Sequence, residues 1–317
     1  MNEIILVILK VFPIIFILLL GVWMSKTAFL SADTVRGMTK LTMNISLPCI
    51  LFLTFFEAEL KPELLILSVV IFAACLFEFA LGFLIKKLQK STNQFYPSLF
   101  TTFLTGPIGF PLFIAYFGTA NLYKLAILDV GNSLFIFTVL TVFLSTVSCS
   151  VHSTEKGSIL ANLKNHLKSP LTISMFLGII VSLSGYRSNI ERFPAAAALL
   201  EALSLMASAA FPMTLIIIGY ELPFDFRNFK KIAVAVLIRL AMMLSIAYLI
   251  NTFVISRWLG LDITYQAALY TMFLLPPPFI IPLSIVGECE HKKYVLDFIS
   301  LHLLVSLVAF VLLMSLI

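Results

Sequence analysis

The stretch Phe103-Leu104-Thr105-Gly106-Pro107-Ile108-Gly109-Phe110-Pro111-Leu112 lies in the middle of an apolar segment long enough to cross a bilayer. Pro107 and Pro111 offer no backbone N–H, and each ring crowds the carbonyl four residues earlier. Gly106 and Gly109 remove the side chains that would shield an exposed backbone. A helix is therefore expected to break here. Unpaired peptide groups cost several kcal/mol each in hydrocarbon, so such a break persists only inside protein or beside a watered cavity. A second break is expected far downstream, at Leu274-Leu275-Pro276-Pro277-Pro278-Phe279-Ile280-Ile281-Pro282. Two interrupted spans, one in each half of a chain, point to the binding site of a transporter.

The composition agrees with a membrane setting. Hydrophobic residues make up 61% of the 317 positions, charged residues only 12%, and the mean hydropathy is +1.07. Soluble domains carry roughly 25% charged residues. The net charge of +5 is explained by where the basic residues fall, without nucleic acid. Cys49, Cys75, Cys149 and Cys289 share no metal-ligand spacing and read as small apolar fillers. Ile4–Met24 has the length of a full span and lacks an Ala-x-Ala cleavage site, so it reads as a retained first helix.

At about 20 apolar residues per span, ten spans are expected: Ile4–Met24, Gly37–Phe56, Leu64–Ile85, Ser98–Phe117, Leu122–Cys149, Leu167–Gly185, Ala195–Tyr220, Ile232–Val254, Thr264–Val286 and Val295–Ile317. The fold class is all-α integral membrane, with spans four and nine broken. The polar link at 151–168 divides a first repeat, 1–150, from a second, 169–317. Fourteen Lys and Arg fall on one side, among them Lys86, Lys87, Lys164, Lys230 and Lys231, and five on the other, Lys61, Lys124, Arg187, Arg192 and Arg257. The richer side is cytoplasmic, which puts both termini outside. Five spans per half means oppositely oriented halves. A repeat agrees: at a spacing of 164, Gly21, Pro48 and Glu57 match Gly185, Pro212 and Glu221. At 168 or 169, Pro107, Gly118 and Asp129 match Pro276, Gly287 and Asp297. No zincin pair, nucleophile elbow or Walker lysine occurs, so no enzyme is indicated.

Several residues carry a functional reading beside a plainer one. The breaks either aim free N–H groups and positive dipole ends at an anion or are packing kinks. Glu78 and Arg239 are ionisable groups deep in spans three and eight. They either pair, or Glu78 takes up a transported proton; the plainer readings are a static pair or an Arg239 that snorkels to the cytoplasmic surface. Asp129 and Asn132 share a helix face, followed by Ser133, and can hold a cation or bond to freed backbone. Asp297 reads as a solvated carboxylate at a helix start, and His302 as packed or hydrogen-bonded. Lys10 reads as snorkelling outward, and Glu201 as facing a lumen or an interface. Asn44 and Ser46 are placed to satisfy carbonyls freed by Pro48.

The chain resembles the auxin efflux carrier family, and more widely the bile acid–sodium symporters. The resemblance rests on Leu47-Pro48-Cys49-Ile50-Leu51-Phe52, on Thr105-Gly106 with Gly109-Phe110-Pro111-Leu112 and Gly118, and on Pro276. It implies a scaffold of spans one, two, six and seven and a moving unit of spans three to five and eight to ten. The broken spans would cross near mid-membrane and hold a small organic anion such as malate, malonate or an auxin-like acid. Leu104 stands where many members carry Asn, and Pro276–Pro278 is a longer proline run than usual. The resulting substrate set is Thr105, Gly106, Pro107, Gly109, Pro111, Asn132, Pro276, Pro277 and Pro278. The ion-coupling set is Glu78, Asp129 and Arg239, for a proton or sodium. No organic cofactor or metal is expected. The expected partners are the substrate, membrane lipid and a second copy through the scaffold; the expected site is a plasma membrane of bacterial inner-membrane type. The alternatives are a sodium-coupled symporter and a non-transporting sensor of the same fold.

Overall fold

The computed structural model describes residues 3–57, 64–147, 168, 170–184, 192–221, 229–285 and 290–314, and all regular structure among them is helical. The basic link, apart from Lys168, lies outside the described residues, as do Lys61, Arg187, Arg227, Cys149, Cys289 and the Lys10 side chain.

The helices follow the apolar segments. α1 is Glu3–Lys26; α2 (Ala32–Leu41) passes through a π-turn, Thr42–Ser46, into α3 (Leu47–Glu57); α4 is Leu65–Leu88. A 3₁₀ segment, Tyr96–Phe100, precedes a π-turn, Thr105–Gly109, that runs into α5 (Phe110–Phe117). α6 (Leu122–Phe135) continues through a π-turn, Ile136–Leu140, into α7 (Thr141–Thr146). Then come α8 (Pro170–Ser184), α9 (Pro194–Ser208), α10 (Ala210–Glu221) and α11 (Phe229–Ile250), the last extended by a π-turn, Asn251–Trp258. α12 (Ile263–Leu274), α13 (Ile280–Leu283) and α14 (Glu290–Met314) complete the chain. Asp262 caps α12, its Oδ1 accepting from the N–H of Thr264 at 2.8 Å and of Tyr265 at 3.2 Å.

Among the described residues, seven helical stretches are long and apolar enough to cross a membrane: Ala32–Phe56, Leu65–Leu88, Tyr96–Phe117, Thr119–Leu144, Pro194–Ile217, Phe229–Trp258 and Glu290–Met314. Helix also occupies the other three expected spans. α8 has only 15 residues, and the ninth expected span is interrupted after Leu274.

The breaks differ in how well their positions were anticipated. The second falls at Leu275–Phe279, where the prolines put it. The first is not at Gly106–Pro111, as expected, but just before, at Thr101–Leu104; helix resumes at Thr105 and runs through both prolines. Pro107 sits in the first turn, where its missing N–H would have had no intrahelical acceptor. Pro111 follows a π-turn, whose wider winding accommodates its ring. The same device precedes Pro48. There Asn44 Nδ2 donates to the Lys40 carbonyl at 2.7 Å, not to a carbonyl that Pro48 frees, and Ser46 Oγ is buried without a partner among the described residues, so neither takes the expected role.

The chain forms two compact units. The first comprises Met1–Leu64, Gly106–Ala126 and Lys164–Leu222. In it α1 packs on α10, and α3 packs on α8 and α9. A Cβ at Gly21 would stand 2.3 Å from the Ile216 carbonyl oxygen, and one at Gly219 2.0 Å from that of Leu18, so two glycines bring α1 and α10 together. The second unit comprises Leu65–Thr105, Ile127–Leu163 and Pro223–Ile317. In it α4 packs on the Tyr96–Phe100 segment, and α11 packs on α12 and α14. Gly131 of α6 lies against α4, where a Cβ would be 2.0 Å from the Ser68 carbonyl oxygen; Ser68 Oγ donates to the Ile127 carbonyl at 2.7 Å.

These contacts separate two glycine substitutions. Gly131→Ala must push backbone apart and is expected to cost roughly 1–3 kcal/mol. Gly37→Ala, on exposed helix with nothing within 4 Å of the new methyl, is expected not to destabilise. Thermal unfolding in detergent compares the two.

Candidate functional site

Within the second unit, the two breaks meet. The Leu104 N–H donates to the Pro276 carbonyl at 2.9 Å, and the Phe103 and Phe273 rings pack 4.7 Å apart. Each break ends a helical segment whose last carbonyls have no acceptor role left within the helix. The surrounding side chains take them up almost one by one.

Arg239, in the middle of α11, takes most of them. It is fully buried, 0% exposed. Nη1 donates to the carbonyls of Leu99 and Thr101, the latter at 3.1 Å; Nη2 donates to those of Thr102 at 2.7 Å and Leu275 at 3.4 Å. A guanidinium has five N–H donors; four serve the two breaks, and Nε has no hydrogen-bond partner among the described residues. The carbonyl ends of two helical segments carry partial negative charge, so one buried cation satisfies both electrostatically as well as by hydrogen bonds.

Asn132 of α6 holds the residue after Thr102. Its Oδ1 accepts the Phe103 N–H at 3.0 Å, and its Nδ2 donates to the Phe103 carbonyl at 2.9 Å. The same Nδ2 lies 2.8 Å from Asp129 Oδ1 and 3.4 Å from Thr105 Oγ1, and Ser133 Oγ donates to Asp129 Oδ2 at 3.3 Å. The Asp129–Asn132–Ser133 face therefore bonds to freed backbone, one of the two roles expected for it. On the other break, Ser306 Oγ donates to the Leu274 carbonyl and lies 3.0 Å from His302 Nδ1, with both residues buried. Thr101 Oγ1 reaches the Cys75 carbonyl at 2.9 Å. Thr102 sits at φ +57°, a left-handed conformation rare for a β-branched residue. Such strain persists only where neighbours over-determine it, as Arg239 and Asn132 do on either side.

Two expectations are corrected. Glu78 and Arg239 do not pair: Arg239 is bound to carbonyls, and both Glu78 oxygens are buried without a hydrogen-bond partner among the described residues. Nor does Arg239 snorkel, because carbonyls solvate it where it is. Asp297 is not a solvated helix start; it is buried on α14, which begins at Glu290. Glu201 is exposed on α9. Of the substrate set, Thr105 and Asn132 come together and Pro276 joins them through Leu104; Pro277 and Pro278 are buried in the same unit. Gly106, Pro107, Gly109 and Pro111 belong to the first unit; the first two are half-exposed and the last two buried. Sequence reasoning missed Thr101, Thr102 and Ser306. The threonines had a signal, since they immediately precede the Phe103–Leu112 stretch that holds the glycines and prolines; Ser306 had only its place one turn after His302.

Seven apolar helical stretches among the described residues, with an interrupted backbone held inside protein, define the class: a multi-pass helical membrane protein. The chain belongs to the membrane transport protein family, that of the auxin efflux carriers, matching it over residues 6–314. It is also 26% identical over 217 residues to an uncharacterized transporter of Methanocaldococcus jannaschii, covering 66% of this chain and 67% of that one.

The bonding pattern sets the expected cost of losing each tie. Asn132→Leu strips the Phe103 N–H and carbonyl of their partners, each worth roughly 1–3 kcal/mol when buried and unsatisfied. Ser133→Ala loses one long hydrogen bond, and its effect is expected to be about 0.5–1.5 kcal/mol. Equilibrium unfolding of the two variants should show that order.

Proposed function

We propose that this chain is a secondary active transporter of a small organic anion, a mono- or dicarboxylate, working by alternating access. The observation that carries the reading is the meeting of two interrupted spans, tied by Leu104 N–H to Pro276 C=O and by Arg239 to both, in a member of a membrane transport family. Arg239 gathers the carbonyl ends, so the electropositive start of the helix resuming at Thr105 is left for an anion. Thr105, Gly106, Pro107, Gly109, Pro111, Asn132 and Pro276–Pro278 are its proposed contacts. Gly106 is half-exposed with open space where a side chain would begin, which suits a close approach to backbone.

In this reading ten spans form two inverted five-helix repeats, 1–150 and 169–317. Spans one, two, six and seven are the scaffold and the others the moving unit. The grouping of α1–α3 with α8–α10 in one compact unit, and of α4 with α11–α14 in the other, supports that division in part; Gly106–Ala126, with α5 and the start of α6, groups with the scaffold helices instead. The transporter sits in a plasma membrane of bacterial inner-membrane type with both termini outside, and pairs through its scaffold. Coupling is to a proton or sodium through Glu78, Asp129 and Arg239. A sodium-coupled symporter and a silent sensor are the competing readings.

Proteoliposome uptake and counterflow with labelled malate, malonate, acetate and indole-3-acetate, under proton, sodium or no gradient, tests this. Saturable movement is expected, lost in Gly106→Trp while folding is kept. The driving gradient names the ion, and sodium dependence would favour the symporter. No movement of any anion by folded protein would sink the carrier reading.

A further inference from the structure

Glu78 is a buried charged side chain that the bonding scheme does not use. It lies on α4, 0% exposed, with Oε1 and Oε2 both lacking a hydrogen-bond donor among the described residues. A carboxylate ion in that position is far more costly than a neutral carboxyl, because nothing replaces the water it lost. Its own helix leads to the crossing: the Cys75 carbonyl, one turn earlier, accepts from Thr101 Oγ1 of the first break. Arg239 of α11 holds the same residue, donating to the Thr101 carbonyl at 3.1 Å, and makes no hydrogen bond to Glu78. The other ionisable groups around this pair are Cys75 on the same helix, Asp129 of α6, which acts on Cys75, and His302 of α14, on which Arg239 acts.

Resting on the transporter reading, we propose that Glu78 is a proton-binding site whose occupancy decides what Arg239 holds. With the proton on, Glu78 is neutral and Arg239 clamps the carbonyls of Leu99, Thr101, Thr102 and Leu275, the arrangement seen. With the proton off, the carboxylate draws the guanidinium by its unpartnered Nε, and the clamp on the two breaks loosens. One cation cannot fully serve both sets of acceptors, so proton binding and crossing geometry are linked, each biasing the other to the same degree. A proton fits better than a metal cation. The neighbouring oxygens, Thr101 Oγ1 and the break carbonyls, are already engaged, and a second full cation beside a guanidinium is repelled.

The sign follows directly. The clamped state holds the proton, so its stability is present at low pH and is lost as pH rises.

The test needs no substrate, so its failure is separate from failure to transport. Protein in a maltoside detergent, which has no ester carbonyl, is titrated by infrared difference spectroscopy, following the protonated-carboxyl stretch. Thermal unfolding is followed over the same pH range. Wild type is expected to lose a carboxyl band and unfolding temperature together as pH rises. Glu78→Gln, the neutral isostere, should lack that band and unfold at a temperature no longer tied to it. Asp129→Asn should keep the band. If Glu78→Gln folds poorly, Glu78→Met supplies the same comparison. The same band in both proteins, the same unfolding profile in both, or stabilisation by sodium that needs Glu78 would each overturn the proposal.

Discussion

A peptide group inside a bilayer must find a partner within the protein, and that constraint organises the second compact unit. Interrupting two spans frees carbonyls and N–H groups where water is scarce. Rather than leaving them to each other alone, the chain places one guanidinium between the two sets of carbonyls and one carboxamide beside Phe103. Arg239 is buried for this reason: four acceptors replace most of its hydration, and they in turn lose most of their cost. The strained Thr102 is a local consequence, since its backbone must turn the Thr101 and Thr102 carbonyls to the same cation.

The two breaks therefore behave as one object. Direct backbone pairing at Leu104 and Pro276, ring packing of Phe103 on Phe273, and the shared arginine all act between them. Motion that displaced one break without the other would strand several buried polar groups at once. Displacement of the crossing as one piece keeps those bonds.

Much of the helical spanning pattern was legible because apolar length is read directly along the chain. The second break was legible too: three successive prolines leave the preceding residues no helical option. The first was displaced because proline forbids helix only where its N–H is needed, and Pro107 falls in a first turn. π-turns, which depend on packing, have no comparable sequence signature. At the site, Asn132 and Asp129 could be placed on one face by helical spacing, but the partner of Arg239 could not. Charge complementarity suggested Glu78, whereas backbone carbonyls, invisible as residue types, won on geometry. The missed Ser306 is the same lesson, a hydroxyl whose role is set by a neighbouring carbonyl.

The position of Arg239 in the chain also bears on biogenesis. A lone arginine at the centre of an inserting helix costs on the order of 2.5–3.5 kcal/mol. Three of its acceptors, Leu99, Thr101 and Thr102, are synthesised more than a hundred residues before it, and Leu275 comes 36 residues after. Phe229–Ile250 thus enters a membrane in which most of its docking site already exists, and it can be received laterally by the earlier half. Leu275, just past the end of Ile263–Leu274, is the last of the four acceptors to be made and completes the coordination, so that maturation of the protein is ordered by which peptide oxygens already exist.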